Sequence, residues 1–304
     1  MKIITELKGL GFRSPVSAAV GFFDGFHRGH QEVASGALAA ARDNGYESCA
    51  VTFEAYGEKL LTTQDEKLAL IKNAGFDCAV VLRSGEGWVR WSPERFVEGF
   101  LISELKARSV SVGPDFRFGK DRTGDINTLM GFSRRITVSV ADLVFHGNEK
   151  ISSTAIREAV RRGELDEAET MLGRPYFFTG ETVRGSGTGR KIGFPTVNFS
   201  VPAGKLLPEG VFACELIFDQ AAPPSGVYGA CFIGTIDVGG LSPQKTSVEV
   251  HILNYQTGME DTVKGARLLH KTRGAESFKS LDDLKARLAS DIEKIQFDIQ
   301  NSYY

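Results

Sequence analysis

The sequence changes texture once, at residues 173–176, and that change limits the possible folds more than any other feature. Upstream, short apolar runs alternate with helical patterns. Residues 17–23, 49–53, 78–82 and 109–112 read as strands. Between them, 30–42, 66–73 and 93–105 read as helices. In the first of these Val33, Ala37, Leu38 and Ala41 recur at helical spacing, and Asn44-Gly45 closes it. Strand and helix in alternation predict a parallel sheet with helices on its faces. Residues 153–172 look helical too, with a break at Gly163.

Downstream the pattern differs. Residues 177–270 are rich in Gly, Thr, Val and Phe, and turn residues punctuate them at 202–204, 208–210 and 223–226. Short alternating strands of this kind predict an antiparallel barrel or sandwich. A last helix over 281–300 carries Leu284, Leu288, Ile292 and Ile295 on one face. The chain of 304 residues has room for two such domains, expected at 1–174 and 175–304.

Charge and cysteine usage narrow the function. The 36 Lys+Arg nearly balance 38 Asp+Glu, so a net charge of -2 argues against binding nucleic acid through charge. No apolar run approaches the roughly 18 residues of a transmembrane helix, and the N-terminus lacks the pattern of a secretory signal. Cys49, Cys78, Cys214 and Cys231 stand far apart with no CxxC pair. That usage suits a reducing cytoplasm and argues against a disulfide framework or a zinc site. The expectation is a cytoplasmic protein with no nucleic-acid or membrane partner. The pattern fixes no oligomeric state.

Two strings in the first half carry chemistry. Gly21-Phe22-Phe23-Asp24-Gly25-Phe26-His27-Arg28-Gly29-His30 joins a strand to a helix. His27 and His30 are three apart at a helix start, where free N–H groups and the helix dipole favour an anion. Gly25 and Gly29 let backbone approach a ligand. Paired imidazoles there can hold phosphate oxygens and steady charge built up in phosphate transfer. The second string, 151–157, opens a helix with Ser153 or Thr154 as a natural N-cap and Arg157 one turn on as a forked donor. Alone it reads as a capped helix. Together the two resemble the nucleotidyltransferase superfamily with its HxGH and SSTxIR-type signatures. The Walker A pattern is missing.

The second half carries a glycine-rich loop, 180–198. Gly185 and Gly189 can expose backbone N–H groups to phosphate, and Arg190 and Lys191 supply positive charge. Thr196 and Asn198 are two apart, so on a strand they share a face, and their oxygens suit magnesium. Glu249 and His251 share a face by the same rule, with Glu249 a candidate general base. From spacing alone, a surface glutamate on an edge strand is the better reading of Glu249.

Taken together, residues 14–300 resemble the prokaryotic bifunctional riboflavin kinase/FAD synthetase family. The resemblance implies an α/β Rossmann-like nucleotidyltransferase domain followed by an antiparallel β-barrel riboflavin kinase domain with a terminal helix. It implies riboflavin phosphorylation by ATP to FMN, then joining of FMN to AMP from a second ATP to give FAD and pyrophosphate, with Mg2+. Under it Gly21, Phe23, Asp24, His27, His30, Ser153, Thr154 and Arg157 serve the ATP of the transferase, and Asp115 its flavin. In the kinase half Gly185, Gly189, Arg190, Lys191, Thr196 and Asn198 serve ATP, Thr196 and Asn198 the metal, Glu249 catalysis, and Arg273 and Phe278 the flavin.

Five places depart from the family pattern: Phe22 for Asn, residues 55–57 for Pro-His-Pro, residues 236–237 for an Arg-Pro-like pair, Asn254 for Asp, and Ala275 for Glu with the acid moved to Glu276. Those near Asn254 and Ala275 motivate one alternative, a monofunctional FMN adenylyltransferase with a degenerate kinase half; a second, from another class, is a non-catalytic flavin or nucleotide sensor.

Overall fold

The computed structural model describes all residues except 8, 56, 58, 84, 86, 186, 220–225, 236–245, 255–261 and 303–304. It forms two compact units, Met1–Ser153 and Thr154–Tyr304.

The first unit runs β1 (Lys2–Ile4), β2 (Val16–Val20), α1 (Arg28–Asn44), β3 (Glu47–Phe53), α2 (Gln64–Asn73) and β4 (Cys78–Leu82). A π-helical segment (Arg95–Glu104) follows, then β5 (Ala107–Val112), α3 (Ile126–Met130), β6 (Thr137–Val140) and a small hairpin of β7 (Phe145–His146) and β8 (Glu149–Lys150). The sheet order is β1-β4-β3-β2-β5-β6 and every pairing is parallel. All residues of β2 and β4 are buried, as strands covered on both faces must be. The chain winds from β2 through β3 to β4, then returns to the other side of β2 as β5. This reversal opens a crevice at the carboxyl ends of β2 and β5, where open α/β sheets bind ligands.

Helix ends follow the sequence. His27 caps α1 by accepting from the His30 N–H at 3.3 Å, and Gly45 ends it in the left-handed region. Thr63 and Glu66 form a reciprocal capping box on α2. The expected helix at 93–105 is wound as a π-helix, with Leu105 N–H donating to the Phe100 carbonyl five residues back at 2.8 Å. Phe96, Val97, Phe100 and Leu101 remain its buried face. The strand expected at 17–23 stops at Val20. Phe23, with φ 56, turns the chain, and a Cβ on Gly21 would lie 2.7 Å from the Phe23 ring.

The second unit takes in α4 (Ser153–Arg162) from Thr154 onward, then α5 (Leu165–Leu172), with Gly163 at φ 77 between them. Next come β9 (Tyr176–Thr179), β10 (Glu181–Val183), α6 (Thr188–Lys191), β11 (Val197–Ser200), β12 (Gly210–Phe218), β13 (Tyr228–Gly234), β14 (Ser247–Ile252), β15 (Val263–Arg273) and α7 (Leu281–Ser302). The antiparallel order is β10-β11-β14-β13-β12-β15-β9. The two end strands are consecutive halves of one bent segment, so the sheet curls back on itself. Gly180 sits at the bend. Its N–H donates to the Lys264 carbonyl at 3.0 Å, and a Cβ there would lie 2.8 Å from the Ser200 carbonyl oxygen. Only glycine lets both neighbours approach one strand at that point. Helix α7 packs Ile295 and Ile299 against Val211, Ala213 and Leu269.

The cysteines meet in space. Cys49 stands opposite Cys78 across β3 and β4, and Cys231 neighbours Cys214, whose thiol donates to the Gly229 carbonyl at 3.3 Å. All four are buried free thiols. Burial pushes the Cys49 and Cys231 thiols well up, so they pack as small apolar groups.

Candidate active sites

A cavity of ≈ 470 Å³ opens at the crevice of the first unit. Gly21, Phe23, His27 and His30 line it from one side, Asp115 and Lys150 from another, and Ser153 closes the set. The two imidazoles stack at 3.6 Å between ring centroids, 17° from parallel. Phe23, strained in the left-handed region and buried, sets its edge against His30 at 5.3 Å. Gly29 leaves room for the stack, since a Cβ there would meet the His27 ring at 3.3 Å. Because Nδ1 of His27 accepts from the His30 N–H, that nitrogen carries no proton and the far Nε2 is the donor.

The two signature strings, 129 residues apart, meet here: the Ser153 hydroxyl donates to the Asp24 carbonyl at 3.0 Å. Thr154 and Arg157 follow on α4 within the second unit. The Asp24 carboxylate accepts from the Leu61 N–H at 3.1 Å and from the Thr62 N–H at 3.0 Å. It therefore ties the turn before α1 to the segment before α2. Asp115 forms an ion pair with Lys150. Sequence reasoning missed Lys150, Trp88 and Arg122 on the cavity wall. Each stands outside a recognised string, and Trp88 packs on Phe53 with ring centroids 4.8 Å apart.

A second cavity, also ≈ 470 Å³, lies in the second unit and is lined by Gly185, Gly189, Arg190, Thr196, Asn198 and Glu249 among others. Asn198 and Glu249 are paired in register across β11 and β14. The Thr196 hydroxyl donates to Glu249 Oε2 at 3.0 Å and accepts from Asn198 Nδ2 at 3.3 Å. Glycines shape the loop around this triad. A Cβ on Gly185 would lie 2.5 Å from Asn198 Nδ2, and one on Gly189 would lie 2.4 Å from the Phe194 carbonyl oxygen. His251, on the same face as Glu249, meets the Pro195 carbonyl at 2.9 Å and so holds the turn before Thr196. Lys191 ends α6, one residue beyond Arg190. Thr182, Arg184 and Thr188 are wall residues that the motif reading left out.

Arg273 sits at the end of β15, where its side chain is only 8% exposed. Its Nε and a terminal nitrogen contact the Asp291 carboxylate of α7 at 2.8–3.0 Å. Arg287 and Glu276 extend this network, with a contact of 3.0 Å between them. Phe278 lies 5.8 Å from the guanidinium, as a ring beneath a cation. The acid that the sequence places at Glu276 is thus held on arginines. Asn254 adopts φ 53, a conformation Asn shares with Asp, so that replacement keeps the turn. Residues 236–237 and Tyr56 lie outside the described residues.

Among the described residues no helix is long and apolar enough to cross a membrane. No group of three or more His, Cys, Asp or Glu is placed to hold a metal among them.

Comparison with known proteins divides the chain the same way. The FAD synthetase family model matches residues 12–155, and the riboflavin kinase family model matches 172–297. The chain is 31% identical to the bifunctional riboflavin kinase/FMN adenylyltransferase of Escherichia coli (strain K12), covering 96% of each. It is 29% identical to the protein of that name from Buchnera aphidicola subsp. Schizaphis graminum, again over 96% of each. The crystal structure of a macrolide-efflux protein from Streptococcus pneumoniae superposes with a TM-score of 0.81 at 26% identity, covering 97% of this chain and 98% of that one.

Proposed function

The chain belongs to the bifunctional riboflavin kinase/FMN adenylyltransferase family, and we propose that its two cavities are the two active sites of that chemistry. It phosphorylates riboflavin with ATP to FMN and joins FMN to AMP from a second ATP, releasing pyrophosphate and FAD. Residues 175–304 carry the first reaction and 1–174 the second. The reading also places the protein in the cytoplasm, with flavins and ATP as its partners.

In the kinase half Glu249 takes the proton of the ribityl hydroxyl. The freed oxygen attacks the γ-phosphorus of ATP, and ADP leaves. The Thr196 hydroxyl on Glu249 fixes the carboxylate toward the cavity. Thr196 and Asn198 offer hydroxyl and amide oxygens beside that carboxylate, a hard donor set that fits Mg2+. With so few protein donors, phosphate oxygens and water would complete the shell. The ion would neutralise charge on the transferred phosphate. Gly185 and Gly189 leave the space, and Arg190 adds a cation for the phosphates.

The transferase half needs no base, because the FMN phosphate is already an anion. Its oxygen attacks the α-phosphorus of ATP and pyrophosphate departs. The protein must align the anions and stabilise charge. His27 and His30, stacked at the N-terminus of α1, present donors for that purpose.

The observation that carries the reading is the Thr196–Asn198–Glu249 triad on a glycine-shaped cavity, in one chain with a second cavity built on HxGH. The test supplies ATP and Mg2+ with riboflavin in one vessel and FMN in another, and separates the flavins by chromatography. Riboflavin should yield FMN and then FAD. Glu249→Gln should stop FMN formation by about 10²-fold or more while FAD still forms from added FMN. Absence of FAD in both vessels would refute the reading.

A further inference from the structure

Lys67, on α2, is a buried cation that neither string nor reaction absorbs. The residue is 1% exposed. Its Nζ donates to the Phe53 carbonyl at 2.6 Å and to the Phe22 carbonyl at 3.3 Å, and it stands 4.7 Å from the Phe22 ring centroid. The two carbonyls belong to the ends of neighbouring parallel strands. Phe53 is the last residue of β3, and Phe22 lies two residues past β2. Both residues line the transferase cavity. One ammonium thus joins the two strand tips from behind the wall.

Three other contacts fix the same region. Thr52 Oγ1 donates to the Phe22 carbonyl at 3.0 Å. Asp24 is bound by the segment before α2, and its charge acts on Lys67. Gly21 N–H donates to the Val51 carbonyl at 3.1 Å. The chain leaves Phe22 directly into the strained Phe23 turn that delivers His27 and His30. A shift of the Phe22 carbonyl therefore moves the imidazoles. Burying an ammonium here is costly, since burial lowers its pKa to about 8. A methionine of similar length would fill the space without that cost and without the donors.

We infer that Lys67 is a positioning residue for adenylyl transfer: it clamps the tips of β2 and β3 so that the Phe23 turn holds His27 and His30 in line with the nucleotide phosphates. The inference rests on the functional reading above. Lys67 touches no reactant, so its loss should act on alignment in the transition state more than on flavin binding.

The experiment compares Lys67→Met with the parent in the full-length protein. The expected result is a kcat for FAD formation reduced about a hundredfold, with the KM for FMN within threefold. An unchanged KM reports an intact, folded first unit. Phosphorylation of riboflavin by the same preparation should stay within twofold. Lys67→Gln, which keeps an amide donor, should recover at least fivefold of the lost kcat. A Lys67→Met protein with kcat within threefold of the parent overturns the inference. So does a loss carried by KM alone, or a Lys67→Gln protein no better than Lys67→Met; where Lys67→Met is too unstable to assay, a Lys67→Gln kcat more than about twentyfold below the parent overturns it instead. Failure of the parent itself to make FAD from FMN would instead remove the functional reading on which the inference stands.

Discussion

Replacing Gly185 with alanine is a contact-level test of the kinase site. The glycine is not in the left-handed region, so alanine brings no backbone strain and the effect is one of space. The new Cβ would stand 2.5 Å from Nδ2, 2.7 Å from Cγ and 2.9 Å from Oδ1 of Asn198. All three atoms belong to one amide. Ordinary contact begins near 3.4 Å, so the amide must withdraw by about 0.9 Å. In withdrawing it leaves the Thr196 hydroxyl that it now meets at 3.3 Å, and that hydroxyl is the partner of Glu249. A displacement near 1 Å in reacting machinery costs on the order of a hundredfold in rate, or roughly 2.7 kcal/mol of barrier. The assay is chromatographic separation of riboflavin, FMN and FAD after timed incubation with ATP and Mg2+. FMN formation from riboflavin should fall about a hundredfold, while FAD formation from added FMN stays within twofold. Kinase activity within threefold of the parent would refute the reasoning, because the Asn198 amide would then not be needed where Gly185 lets it sit.

Three further outcomes are expected. His27→Asn keeps a side chain able to cap α1 but removes one ring of the stack, so FAD formation should fall about 10²-fold with a melting temperature within a few degrees of the parent. Lys67 has a folded-state pKa of about 8 against an ordinary 10.5, so between those values the unfolded chain binds more protons and stability rises with pH. Denaturant titrations at pH 7.5 and 10.5 should show the parent gaining about 3 kcal/mol more than Lys67→Met over that window, and an equal gain in both would contradict the assignment. Asp291→Ala leaves the buried Arg273 guanidinium without its main acceptor, so it should destabilise the second unit by about 3–5 kcal/mol, seen as a lowered thermal midpoint.

What the sequence made legible follows from where local and tertiary forces agree. The strands at 49–53 and 78–82 and the helix at 30–42 were readable because their apolar spacing matches the faces they bury. The HxGH and glycine-loop residues were readable because each is fixed by its neighbours in the chain. The strand at 17–23 was read too long because Phe22 and Phe23 are as apolar as a strand, while the turn at Phe23 depends on Gly21 leaving room for its ring. The π-helical winding of residues 95–104 buries the same side chains as an α-helix would, so periodicity does not separate them. β1 and β6 escaped notice because they are short and carry few buried side chains. The pairing of the Arg273 guanidinium with Asp291, eighteen residues on, went unread. A signal for that pairing was present: Asp291 lies on the face of α7 that also carries Leu284, Leu288 and Ile295, where an acid needs a buried partner.

The ends of both sheets share one property. The parallel sheet terminates in strands of 3 and 4 residues, and so does the curled sheet, at the two halves of the segment bent at Gly180. The long, strongly apolar strands such as β12 and β15 are interior ones with a partner on either side. A neighbouring chain seeking to extend either sheet meets only a few unpaired peptide groups, too few to template a new strand. The consequence is colloidal: among the described residues, the two large sheets offer only short edges for fibre-like growth, even when the protein is crowded at high concentration.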